Sequence, residues 1–149
     1  MFNPKKFVVA KAKPLPVLLL LDVSGSMYGD KIDTLNASVR DMLNDFANDK
    51  QIETEIQVSI LTFGYEINRL FRFTPVTQIK YQDLDAGGST PLGECLRAAK
   101  AIIEDKDETP SRAYRPLVIL VSDGAPTDDW ENPLEDYSQL AINIYQIFL

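Results

Sequence analysis

Apolar and polar positions follow two different periods along the chain, which predicts strands and helices in turn. Continuous apolar runs at residues 16–22 and 116–122 are typical of strands that are buried on both faces of a parallel sheet. Alternating apolar positions at residues 55–63 and 66–73 are joined by a tight glycine-tyrosine connection, which predicts an antiparallel hairpin. The hairpin strand at 66–73 would form the antiparallel edge of the sheet.

Apolar spacings of three and four predict three helices. The first covers residues 30–48, the second begins near Thr90-Pro91, and the third runs from Asn132-Pro133 to about residue 148. Residues 1–14 form an extended basic lead-in, in which Phe7-Val8-Val9 is a candidate edge strand. Because the strands alternate with helices, the chain is predicted to be one layered α/β domain over residues 1–149, with a mainly parallel sheet.

Polar groups follow the predicted strand ends at three places. Asp22, Ser24 and Ser26 follow the first apolar strand, Gly88-Ser89-Thr90 leads into the second helix, and Asp123-Gly124 follows the strand at 116–122. Such loops meet at one edge of a parallel sheet. Converging hard oxygen groups suit Mg²⁺, with Mn²⁺ or Ca²⁺ as alternatives. The other interpretation is a Ser/Gly turn in which Asp22 only caps the backbone.

Composition excludes several classes of function. The net charge of −7 and the pI of about 4.5 argue against binding to nucleic acid or to an anionic membrane surface. Histidine is absent, which excludes histidine-dependent triads and histidine zinc sites. The single cysteine, Cys95, cannot form an internal disulfide and is predicted to be buried on a helix. The apolar run at 17–21 is too short for a membrane span and lacks a cleavage site, so we expect a cytoplasmic protein.

Three motifs together resemble the metal-ion-dependent adhesion site of the von Willebrand factor type A domain. They are Asp-Val-Ser-Gly-Ser at 22–26, Gly-Ser-Thr-Pro-Leu at 88–92 and Ser-Asp-Gly at 122–124, and the similarity covers residues 14–148. It implies a Rossmann-like three-layer sandwich. The stretches at 18–27, 115–124 and 126–130 (Pro-Thr-Asp-Asp-Trp) also resemble bacterial tellurite-resistance-associated members of this superfamily.

The resemblance implies a role for each residue at these positions. Ser24 and Ser26 match direct hydroxyl ligands of the metal, and Thr90 matches the hydroxyl ligand that engages or withdraws as the domain changes state. Asp22 and Asp123 match carboxylates that reach the metal directly or through water. Neutral hydroxyls leave the cation under-neutralised, so it would take a carboxylate from a partner protein. Ser89 is the alternative ligand to Thr90.

Other residues near the predicted metal edge carry less specific signals. Tyr28 and Trp130 flank it and are candidate partner contacts, although a single loop tryptophan also suits a local packing anchor. Asp128 and Asp129 suit either a second cation site or an exposed acidic turn.

The end of the chain departs from the family pattern. A von Willebrand factor type A domain usually has further strands and helices after the element predicted at 133–148. Without them, the strand at 116–122 would have an open apolar edge. We therefore expect a fragment, a partner or second copy that completes the sheet, or a rearrangement of residues 141–149 into a strand.

The leading hypothesis is a cytoplasmic, divalent-metal-dependent module that docks an acidic residue of a partner protein, in a tellurite or metal stress response. An alternative is an Mg²⁺-dependent phosphohydrolase, which the lack of histidine and of a phosphate loop disfavours. A structural subunit with a vestigial site is a further alternative.

Overall fold

Strands and helices alternate through most of the chain in the computed structural model, which describes residues 13–49, 54–109, 112–124, 128–139 and 143–148. The candidate strand at Phe7-Val8-Val9 lies outside these residues. Short 3₁₀ turns occupy Gly25–Met27 and Val76–Gln78. The longer elements are β1 (Lys13–Asp22), α1 (Asp30–Ala47), β2 (Thr54–Phe63), β3 (Ile67–Pro75), α2 (Leu92–Glu104), β4 (Leu117–Ser122), α3 (Glu131–Gln139) and β5 (Asn143–Phe148).

These strands form one sheet in the order β3-β2-β1-β4-β5. β1 lies between β2 and β4 and runs parallel to both, and β5 runs parallel to β4. Of these four strand pairs, the β2–β3 pair alone is antiparallel. The prediction of a mainly parallel α/β sheet with an antiparallel edge hairpin is confirmed.

β1 begins three residues before the predicted start and includes Pro14 and Pro16. A proline cannot donate to a ladder, so it is tolerated in a strand only where pairing is incomplete. Pairing of β1 with β4 starts at Val17, so both prolines lie where only β2 pairs with β1. The five apolar residues that follow are 0–1% exposed, as expected for a central strand.

Alternate residues of β1 pack against opposite faces of the sheet. Leu19 belongs to a cluster with the apolar face of α1, and Leu18 belongs to a second cluster with α2. The helices therefore cover both faces, which gives the predicted three layers. Among the described residues, no helix combines the length and the apolar character that crossing a membrane requires.

The alternative prediction of a strand within residues 141–149 is confirmed, and the third helix is shorter than predicted. It ends at Gln139, and residues 143–148 form strand β5, which pairs with β4 from Leu117↔Asn143 to Ser122↔Phe148. The apolar spacing there fits a helix, but isoleucine and aromatic residues also favour strands. A strand is formed here because its backbone pairs with β4, which would otherwise have an open edge. The described sheet therefore ends at β5 on this side, and a homodimer through the sheet edge or the C-terminal tail stays a prediction.

Candidate metal site

Asp22 is held in place by hydrogen bonds to both of its carboxylate oxygens. It ends β1, and its side chain is completely buried. Its Oδ1 accepts a 2.9 Å hydrogen bond from the Ser24 N–H, and its Oδ2 accepts a 2.7 Å bond from the Ser122 hydroxyl. The Ser122 oxygen in turn accepts a 3.1 Å bond from the Gly124 N–H. The carboxylate is thus held by the loop after β1 and by the end of β4, and sequence reasoning missed Ser122.

Ser24 and Ser26 present their hydroxyls together. Their Oγ atoms lie 3.0 Å apart, with Ser24 buried and Ser26 exposed. The turn between them is short, and the fully buried Met27 anchors its end in the core. Two neutral oxygen donors therefore sit beside the buried carboxylate, with an open side toward solvent.

The loop that carries Thr90 is attached to the first loop by backbone hydrogen bonds. The Gly25 N–H donates to the Gly88 carbonyl at 2.9 Å, and the Gly87 N–H donates to the Val23 carbonyl at 2.7 Å. Thr90 itself is 4% exposed, and its carbonyl accepts a 2.8 Å bond from the Leu92 N–H as α2 begins. Thr90 is therefore buried, and it lies two residues after Gly88, which contacts the Ser24–Ser26 turn directly.

Glycines make this close approach feasible. Gly88 has a φ of +90°, and a Cβ there would lie 2.3 Å from the backbone nitrogen of Tyr65. A Cβ on Gly64 would lie 2.6 Å from the Gly87 carbonyl oxygen. The hairpin turn after β2 is thus packed directly under the Thr90 loop, and both contacts exclude a side chain.

Asp123 brings the third loop into the site. Its side chain is 4% exposed, and its Oδ2 lies 3.5 Å from Nζ of Lys31 in the first turn of α1. The structure therefore places the predicted ligands on three loops at one sheet edge, with Asp22 and Ser122 linking the first loop to the third. Metal ligation by Asp22, Ser24, Ser26, Thr90 and Asp123 stays a prediction that this placement supports.

Asp128 has a structural role that the sequence analysis did not identify. Its Oδ1 accepts a 2.7 Å bond from the Gly93 N–H, and its Oδ2 accepts a 2.9 Å bond from the Glu94 N–H. It thus caps the start of α2 from a distant loop. A Cβ on Gly93 would lie 1.7 Å from the Asp129 carbonyl oxygen, so the approach depends on glycine. Nothing near Gly93 in sequence indicates this contact.

The two candidate partner contacts differ in exposure. Tyr28 is 84% exposed, whereas Trp130 is partly buried against the α2 side of the core. This environment supports the packing interpretation of Trp130. Tyr65, which sequence reasoning missed, is 87% exposed and its ring lies against Gly87. Two exposed tyrosines therefore adjoin the loops of the site.

The chemistry of the donors fits a hard divalent cation. The described part of the chain contains no cluster of three or more histidine, cysteine, aspartate or glutamate side chains suited to a metal. The paired Ser24 and Ser26 hydroxyl oxygens can supply part of a coordination shell. Cys95 is buried on α2, where burial raises the pKa of its thiol and nearby carboxylates, including Asp128 and Asp22, raise it further.

Comparisons with known proteins identify the family of the chain. The sequence model of the von Willebrand factor type A domain matches residues 17–148. The chain is 32% identical over 116 residues to an uncharacterized protein of Mycobacterium tuberculosis, covering 74% of this chain and 18% of that protein. It is 30% identical over 136 residues to inter-alpha-trypsin inhibitor heavy chain H2 of Mesocricetus auratus, covering 81% and 13%.

A solved structure of similar fold is the manganese-loaded TRAP protein of Plasmodium vivax. Its TM-score is 0.64 at 19% identity, over 92% of this chain and 57% of that one, so it supports the fold alone. The chain spans less than a fifth of the curated relatives named above. Since the family model covers nearly all of the sequence, this chain belongs to the von Willebrand factor type A domain family.

Proposed function

We propose that this domain is a divalent-metal-dependent protein-binding module whose metal-ion-dependent adhesion site holds Mg²⁺. The observation that carries the proposal is the pair of Ser24 and Ser26 hydroxyl oxygens, 3.0 Å apart beside the buried Asp22 carboxylate. Thr90 would supply a third hydroxyl, and Asp123 a second carboxylate. We propose Mn²⁺ as a substitute ion, by analogy with the manganese-loaded structure of similar fold.

The hydrogen bonds of Asp22 indicate how its charge would be used. Both of its oxygens already accept bonds, from the Ser24 N–H and the Ser122 hydroxyl. We therefore assign Asp22 to orienting Ser24 and to holding a metal-bound water. A bound Mg²⁺ would supply a positive charge that hydroxyls do not neutralise, and that charge attracts a carboxylate from a partner protein.

The surroundings of the site suit a protein partner. Tyr28 and Tyr65 are more than four-fifths exposed, and tyrosine provides a large contact area with a polar tip. We propose that the partner presents an acidic side chain within an otherwise apolar or uncharged segment. Binding is favoured over catalysis because the sequence contains no histidine to act as a general base near the metal.

A calorimetric titration with Mg²⁺ and Mn²⁺ tests the metal site. We expect Ser24→Ala and Thr90→Ala to weaken binding by at least about 10-fold, since each removes a ligand. Ser89→Ala is the matched control, because Ser89 is exposed and its hydroxyl donates a long, 3.5 Å hydrogen bond to the Gly64 carbonyl. Unchanged affinity in Ser24→Ala, or a loss only in Ser89→Ala, would refute the assigned ligands.

Selection of phage-displayed random peptides on the immobilised domain tests the docking proposal. In the presence of Mg²⁺ we expect enrichment of peptides with aspartate or glutamate, release by EDTA, and no enrichment on Ser24→Ala. Enriched peptides without an acidic residue, or binding that survives EDTA, would contradict a metal-bridged carboxylate.

We also propose, on the sequence resemblance alone, that the domain acts in the cytoplasm in a tellurite or metal stress response. Deleting its gene should then lower growth on tellurite, and wild-type growth of the deletion strain would contradict that role.

A further inference from the structure

Asn36 is an unexpected residue on the buried face of α1. It is 3% exposed and lies among the apolar residues that pack on the sheet, between Leu35 and Val39. Asparagine is a poor helix former, and burying its amide is costly unless the amide is hydrogen-bonded. A buried asparagine in mid-helix therefore calls for a specific partner.

That partner is the segment leading to Thr90. The Asn36 Nδ2 donates to the Leu84 carbonyl at 3.1 Å, and its Oδ1 accepts from the Leu84 N–H at 2.9 Å. The same Oδ1 accepts a 2.6 Å bond from the Tyr81 hydroxyl. One side chain thus pairs with both backbone groups of Leu84, as a neighbouring strand would, and also holds a tyrosine from the same segment.

This segment has little internal structure of its own. Residues 79–91 contain no helix or strand, and a connection of this kind in a compact domain is usually functional. Its anchors follow in order along the chain: Leu84 on α1, then Gly87 and Gly88 on the loop after β1. Thr90 comes directly after these anchors.

The helix that carries Asn36 starts just after the Ser24–Ser26 turn. Asn36 lies six residues into α1, which is about 9 Å along a rigid helix. The Asn36 amide therefore links α1, which follows the loop of Ser24 and Ser26, to the segment that leads to Thr90. A contact of this kind fixes the relative position of two ligand loops without touching the metal.

We propose that Asn36 is the positioning residue that holds the Thr90 loop in register with Ser24 and Ser26 and so sets the affinity for the divalent cation. The inference deepens the proposed metal-dependent function and rests on it. Asn36 acts through Thr90, so its effect on metal binding should disappear when the Thr90 hydroxyl is absent.

The test is a double-mutant cycle on the full chain, titrated with Mn²⁺ in a calorimeter. Asn36→Ala is expected to weaken Mn²⁺ binding by about 10-fold or more. In the Thr90→Ala background, Asn36→Ala should change the Mn²⁺ affinity by less than about 2-fold, because the Thr90 hydroxyl that Asn36 positions is already absent. A purely structural role would give equal losses in both backgrounds.

Two further variants keep the test decisive. Thr34→Ala is the matched control, because the exposed Thr34 hydroxyl bonds to the Asp30 carbonyl of its own helix, and its affinity should not change. Tyr81→Phe removes one of the bonds to Asn36 and should weaken binding by less than Asn36→Ala does. Thermal unfolding checks that each variant is folded during titration. If Asn36→Ala is unfolded, Tyr81→Phe takes its place in the cycle.

Hydrogen exchange of the metal-free protein adds a readout that needs no metal. The Gly87 amide, which donates to the Val23 carbonyl, should exchange faster in Asn36→Ala than in Thr34→Ala. Additive losses in the cycle, unchanged Mn²⁺ affinity, or unchanged Gly87 protection would overturn the role of Asn36 and leave the proposed function intact. A wild-type chain that binds neither Mn²⁺ nor Mg²⁺ would overturn the proposed function itself.

Discussion

Gly88 and Gly29 both have positive φ angles, but their surroundings differ. Gly88 has a φ of +90°, and a Cβ at this position would run into the backbone of Tyr65 at 2.3 Å. Gly29 has a φ of +86°, and a Cβ there would meet nothing within 4 Å. A comparison of the two positions therefore separates the free-energy cost of backbone strain from that of steric crowding.

Replacing each glycine with alanine should show this difference. Gly29→Ala is expected to destabilise the fold by about 1–3 kcal/mol, because an alanine there would have to keep a φ of +86° and a ψ of −131°, which residues with a Cβ rarely adopt. Gly88→Ala should cost more, because the backbone must also move, and it should displace the Thr90 loop. Urea denaturation measures the free energy of unfolding of each variant. Equal losses in Gly29→Ala and Gly88→Ala would contradict the close packing of Gly88 against Tyr65.

At the scale of single residues, the sequence predicted the contacts that lie within one short motif. Ser24 and Ser26 lie within one short motif directly after an apolar strand, so their partnership could be predicted. Ser122 contacts Asp22 across 100 residues, and Asn36 contacts Leu84 across 48. No local pattern encodes such pairs, although a polar residue on the apolar stripe of a helix is a signal that could have drawn attention to Asn36.

Among the elements, an ion pair attaches the turn after α2 to the edge strand β3. Arg69 of β3 donates a 2.5 Å hydrogen bond to Glu108, and its Nε donates to the buried Ser59 hydroxyl at 3.1 Å. Arg72 lies 3.3 Å from the other Glu108 oxygen. The hydrogen bond from Arg69 is the main reason that the pKa of Glu108 is lowered, and the charges of Arg69 and Arg72 add to it.

This lowered pKa predicts a dependence of stability on pH. The folded state binds the Glu108 proton less tightly than the unfolded chain does. The stabilisation is therefore complete above the unfolded pKa and is lost as the pH falls through the folded pKa. Glu108→Gln should flatten the fall in unfolding free energy at acid pH. Glu104→Gln, in an exposed pair with Lys100, is the control and should leave the slope unchanged.

The elements also show where sequence periodicity fails. Both ends of α1 and the start of α2 were predicted to within about two residues, because each helix has a long, one-sided apolar stripe. The segment that became β5 has apolar residues that suit either structure. Its conformation depends on the unpaired backbone of β4, which lies more than twenty residues earlier and is not visible in the local pattern.

Across the whole molecule, the parallel topology brings the metal loops together. β1 and β4 are neighbours and run in the same direction, so the loops after them emerge at one edge of the sheet. This much followed from the alternation of strands and helices. The relative positions of the loops did not, since they depend on glycine contacts, the Asp22–Ser122 bond and the hydrogen bonds of Asn36.

A cation that binds across three loops should stabilise the entire domain. At a free Mn²⁺ concentration 100 times the dissociation constant, the expected gain is about 2.7 kcal/mol in unfolding free energy. Differential scanning calorimetry should show a higher melting temperature with Mn²⁺ than with EDTA. Ser24→Ala should lose the increase, whereas Ser89→Ala should keep it. An equal increase in wild type and Ser24→Ala would point to binding elsewhere.

The position of a bound ion tests the central claim most directly. Anomalous diffraction from crystals grown with Mn²⁺ should show one strong peak within bonding distance of the hydroxyl oxygens of Ser24, Ser26 and Thr90. At least one coordination position on the solvent side should be filled by water or by a carboxylate from another molecule. A peak at another place, or no peak between these three loops at saturating Mn²⁺, would contradict the account.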